Sequence, residues 1–134
     1  MLNRKYPNEI VVFDAVSATG TSDPISGLFD YRNVMLTLSS ANSANFTIKF
    51  QVSYSDTAPD FSAAASPTNR WDYVNIVDLE DKTNYDWDTG IVFTGTDQVR
   101  QFEIDTNGFT WFAATITARS AGDISLHLNA FTNQ

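Results

Sequence analysis

The chain has 134 residues, 43% of them apolar, no cysteine, and 16 acids against 8 bases for a net charge of −8. That length suits one domain with a self-sufficient core, and the missing cysteines exclude disulfides and thiolate metal sites. The acidic balance argues against nucleic acid, whose binding is mostly phosphate neutralisation by Lys and Arg.

The first nine residues, MLNRKYPNE, place Arg4 and Lys5 opposite in sign to the rest of the chain, with Pro7 discouraging a continuous ladder. They lack the long apolar run and small-residue cleavage site of a signal peptide, and no run of about 18 apolar residues occurs anywhere to span a membrane. Residues 1–9 are therefore expected to form an extended arm and residues 10–134 a single domain. Arg4, Lys5 and Tyr6 are the arm's candidate contacts with a neighbour.

Next comes EIVVFDAV, apolar on both faces, with Val11 and Phe13 as further contact candidates. NVMLTLSS alternates with Val34, Leu36 and Leu38 on one face. NFTIKFQVSYS alternates more clearly, with Phe46, Ile48, Phe50, Val52 and Tyr54 inward. Period-2 alternation is the mark of a strand with one buried and one wet face. WDYVNIVDL, GIVF and QVRQFEID are weaker strands. GFTWFAATITA and DISLHLNAF read as two strands joined in a hairpin by the turn RSAGD. No window repeats apolar positions at helical spacing, DFSAAAS coming nearest. Two long loops, 17–27 and 56–70, are flagged as functional or mobile. The prediction is an all-β antiparallel sandwich of about eight strands, close to a jelly roll.

The stretch NYDWDTG sets Asn84, Asp86 and Asp88 at alternate positions, as in the start of an EF-hand calcium loop. The pattern then fails: Thr89 stands where glycine should, and Gly95 where the bidentate glutamate should. Asp86 and Asp88 stay weak metal candidates, no cofactor is expected, and a solvated turn is the better reading. Around it gather Trp71, Tyr73, Tyr85 and Trp87. They are read either as subunit packing, Trp being enriched at interface centres, or as a platform for stacking sugars. Catalysis finds little support. His127 is the single histidine, falling on the wet face of its strand, and no G-x-S-x-G elbow or H-E-x-x-H pair is present.

The order of SDTAPDF, SPTNRWDYVNIVDLED and the run from TGIVF to HLNAF resembles small β-sandwich virion proteins of tailed bacteriophages. The matching positions are Asn69 and Trp71, Trp111, and Ala121 with Gly122, within a likeness covering about residues 34–132. The resemblance implies a non-enzymatic capsid decoration (cement) protein or a head–tail accessory part. It would form a homotrimer, bind the major capsid protein on the outer shell of the virion, and contact neither nucleic acid nor membrane. The alternatives are a carbohydrate-binding module stacking sugars on Tyr85 and Trp87, and a baseplate or tail adaptor.

Overall fold

A computed structural model describes residues 9–28, 30–31, 33–85, 89–105 and 108–131 of the chain. The described residues contain nine strands and no helix. Two strands of 21 residues dominate, β3 (Asn33–Ser53) and β9 (Trp111–Phe131). They pair antiparallel from Asn33 opposite Phe131 to Ser53 opposite Trp111. The shorter strands are β1 (Ile10–Val16), β2 (Gly20–Thr21), β4 (Asp72–Tyr73), β5 (Ile76–Asp78), β6 (Asn84–Tyr85), β7 (Ile91–Thr94) and β8 (Val99–Asp105).

All nine strands belong to one antiparallel hydrogen-bonded network, with β3 and β9 as its spine. Both spine strands change their outer neighbour half-way. The first half of β3 pairs with β8, and the second half with β7 and β4. The second half of β9 pairs with β1, and its first half with β2. The all-β antiparallel class is as the alternation predicts, with nine strands joined in a single network.

The expected hairpin between GFTWFAATITA and DISLHLNAF does not form. Residues 111–131 run on as one strand, and RSAGD is a bend within it. Likewise NVMLTLSS and NFTIKFQVSYS are halves of β3, joined through Asn42 and Ser43 in the left-handed region (φ 62 and 57). The two bends face each other. Ala41 pairs with Asp123 and Asn45 with Ala121, so Asn42, Ser43 and Ala44 bulge opposite Gly122. Further register shifts between Asn45 and Phe46 and between Thr47 and Ile48 restore the count, so both strands advance equally over the full ladder. Inward parity is thereby kept. Val34, Leu36 and Leu38 before the bend, and Phe46, Ile48 and Phe50 after it, all enter one core cluster.

Polar partners satisfy the bulge, as a backbone removed from its ladder requires. The Ser43 amide donates to Asp97 Oδ1 (2.8 Å), Asn42 Nδ2 to Asp123 Oδ2 (2.7 Å), and the Gly95 amide to the Ala44 carbonyl (2.8 Å). The core draws on both halves of the sheet, with Phe93 on Phe46 (ring centroids 4.7 Å apart) and Phe109 and Phe50 flanking Phe112.

WDYVNIVDL divides into β4 and β5, which serve different neighbours: β4 extends the second half of β3, and β5 pairs with β8. At the end of β3 both faces are covered, Gln51 and Ser53 being buried along with Phe50 and Val52. The cover is the 56–70 loop, whose Phe61 is buried and whose Phe61 carbonyl accepts from Gln51 Nε2 (2.9 Å).

Candidate functional site

The 56–70 loop is fastened by Asn69 and Trp71, two positions of the resemblance noted in the sequence. Asn69 Oδ1 accepts from the Asp60 amide (2.8 Å), while Asn69 Nδ2 donates to the carbonyls of Asp60 (2.9 Å) and Ala64 (3.1 Å). The Trp71 indole donates to the Ala63 carbonyl (3.0 Å). Asp60 also accepts from the Ser62 hydroxyl and amide, and these bonds hold its carboxyl below the ordinary aspartate value. A long loop closed on its own side chains is an Ω-type element with a defined shape.

Between this loop and the end of β3 lies a groove of about 580 Å³. Its walls include Tyr54, Ser55, Ser66, Arg70, Trp71 and Asp72. Tyr54 was expected on the inward face, but β3 ends at Ser53 and Tyr54 stands 61% exposed. The reason is local. The Ser53 hydroxyl donates to the Arg70 carbonyl (2.6 Å), the Thr110 amide donates to the Ser53 carbonyl (2.9 Å), and the Trp111 indole donates to the Ser55 carbonyl (3.1 Å), so the strand's last bonds go to loops. Among the described residues the Arg70 side chain has no hydrogen-bond or ion-pair partner.

Trp71 and Tyr73 do meet, but edge to face, with centroids 5.1 Å apart and planes at 80°. Both are half-buried, and Lys49 Nζ lies 5.2 Å from the Tyr73 centroid. They form no flat platform. Trp87, with Asp86 and Asp88, lies outside the described residues, as do Arg4, Lys5 and Tyr6. Tyr85 is half-buried in β6, at 85° to Phe102. Its hydroxyl accepts from Arg100 Nη2 (2.6 Å).

Arg100 is the hub that the sequence hides. Its guanidinium pairs with Asp78 and lies 5.1 Å from the centroid of Phe102, 5.3 Å from Tyr85 and 5.8 Å from Phe93. Burial opposes its charge, but the hydrogen bonds to Asp78 and Tyr85 outweigh that and hold its pKa above the ordinary value. Asp78, 3% exposed, also accepts from the Glu80 amide (2.9 Å) and so shapes the turn between β5 and β6. In sequence the acids of 72–88 are offset by Lys82 alone; in space β8 delivers the cation from outside the segment. The one available signal was Arg100 at an inward-parity position beside Phe102 and Ile104.

On β1, Val11 is 53% exposed and Phe13 is 8% exposed, within the core. Phe13 is therefore withdrawn as a neighbour contact, its ring being spent on its own domain. Register shifts on both sides of Phe13 bring this about. His127 does not stand alone on its wet face: its Nδ1 lies 2.6 Å from Glu9 Oε1, tying the start of β1 to β9. Among the described residues no group of three or more His, Asp or Glu side chains is placed to hold a metal.

The sequence matches no protein-family model and no curated protein. Its fold does have solved counterparts. The chain is similar to the SPBc2 prophage-derived protein YomS, with a TM-score of 0.71 at 10% identity, over 98% of this chain and 96% of that one. It is also similar to the PBSX exported protein XepA, with a TM-score of 0.71 at 11% identity, over 98% of this chain but 39% of XepA. What is shared at this identity is the fold. The chain spans well under half of XepA and nearly all of YomS.

Proposed function

We propose that the chain is a non-enzymatic structural protein of phage origin, and in its finer form a capsid decoration protein. The observation that carries the reading is the end-to-end likeness to a prophage-derived protein, YomS, which this chain covers over 96% of its length. The charge agrees: a chain at −8 suits the outside of a shell, away from packaged DNA. Exposed Val11, Val92 and Val99 offer apolar surface for neighbours to cover. In this reading copies assemble as a homotrimer, engage the major capsid protein, and stabilise the shell by binding only its assembled state. The N-terminal arm, with Arg4, Lys5 and Tyr6, would supply contacts beyond the domain.

The test is to purify particles from a producing culture and probe them for this chain. Decoration predicts its presence on intact heads, in reach of antibody, and heads that leak DNA at lower temperature when it is stripped. A chain absent from the particles overturns the reading. XepA is described as exported, which favours one second reading, a phage-encoded protein released into the medium. Recovery from the cell-free medium, without particles, would select it.

A further inference from the structure

We propose that the groove between the end of β3 and the 56–70 loop is a binding site for a neutral saccharide. The groove is independent of the capsid reading, and Tyr85 is not among the residues that line it. A sugar ring offers an apolar C–H face and a rim of hydroxyls that both donate and accept. The groove presents the complement. Tyr54, 61% exposed, and Trp71 are its aromatic walls. Arg70, with its side chain unpartnered among the described residues, can only donate, and Asp72 can only accept. The hydroxyls of Ser55 and Ser66 do both.

Charge selects among ligands. Among the described residues Arg70 is the single cation lining the groove. Asp72 also lines it, and Asp56 and Asp60 line an adjoining recess of about 410 Å³ that shares Ser55 and Arg70. An anionic ligand meets more carboxylates than cations. A purely apolar one would strip water from Arg70 and Asp72 without replacing its hydrogen bonds. A neutral polyol satisfies both. The groove's size, about 580 Å³, falls within the range of roughly 300–1,000 Å³ usual for small-molecule sites. The walls are set in advance: Ser53 holds the Arg70 backbone, Ala63 the Trp71 indole, and Trp111 the Ser55 backbone. Such preorganisation lowers the entropic cost of binding.

The test is calorimetric titration of the full chain with short neutral oligosaccharides of glucose, galactose and N-acetylglucosamine, with oligogalacturonate as the anionic arm. Saturable binding of a neutral sugar is expected. Tyr54→Ala should weaken it by about tenfold or more, with the far-ultraviolet circular dichroism of the folded domain retained. Arg70→Gln should weaken it too, while Val92→Ala, on β7, should leave it intact. The proposal is overturned if no neutral sugar binds, if only oligogalacturonate binds, or if binding survives both groove substitutions.

Discussion

Gly122 of β9 lies against Ala44 of β3 so closely that a Cβ added to Gly122 would come 2.3 Å from the Ala44 Cα and 2.6 Å from its Cβ. Gly122 also has φ +80, in the left-handed region. Two constraints meet at one residue, and only glycine meets both. The contact is where both long strands bend and exchange outer neighbours, so it sets how the two halves of the sheet are disposed around the core.

Gly122→Ala is therefore expected to destabilise the domain by roughly 3 kcal/mol, combining backbone strain with overpacking against another backbone. Urea denaturation measures it. A loss under about 1 kcal/mol, the size of an ordinary substitution, would show that the bend yields easily and does not depend on this contact.

Arg100→Met should cost about 3–5 kcal/mol, because it leaves the Asp78 carboxylate buried without its counter-ion. The paired replacement Arg100→Met with Asp78→Leu should recover part of that loss, since a buried ion pair adds little over well-packed apolar groups. Recovery will be incomplete, because the Glu80 amide also loses its acceptor. Melting curves of the single and double variants decide it. Equal stability of the single variant and the parent would remove Arg100 from its place as hub.

Asn69→Ala removes three hydrogen bonds that close the 56–70 loop. The expected result is local: faster amide exchange at Asp60 and Ser66 with the β3–β9 ladder still protected. If protection fell equally along β3, the loop and the sheet would be one cooperative unit.

Asp60 gives a pH dependence with a definite sign. Its carboxyl is held below the ordinary 3.8, first by the Ser62 hydroxyl and then by the Ser62 amide. A depressed folded-state value means the contribution is full above the ordinary value and is lost as pH falls through the lowered one. The Ser62 amide shift, followed by NMR, should therefore titrate with a midpoint under 3.8. A midpoint above it would mean that the Asp60–Ser62 bonds are absent in solution.

Much of the strand content was legible. Phe46 to Val52, Val34 to Leu38 and Ile124 to Ala130 alternate because one face is buried, and the structure buries those residues. The groove was only half legible. Asn69 and Trp71 were singled out, and both fasten the loop that forms its wall. Tyr54 and Arg70 were not, because alternation placed Tyr54 inward and nothing local marks Arg70 as unpaired.

The sequence by itself determined an all-β, acidic, cysteine-free domain, because side-chain period and composition are local properties. Tertiary structure decided whether SSANSAN and RSAGD end strands or bend them. Glycine, serine and asparagine permit a left-handed residue in either case; the outcome depends on whether the chain beyond finds the same partner again. Here β3 and β9 bend together, so each keeps the other along its whole length. The same reason placed Arg100 on Asp78, two residues 22 apart in the chain and brought together only by the pairing of β5 with β8.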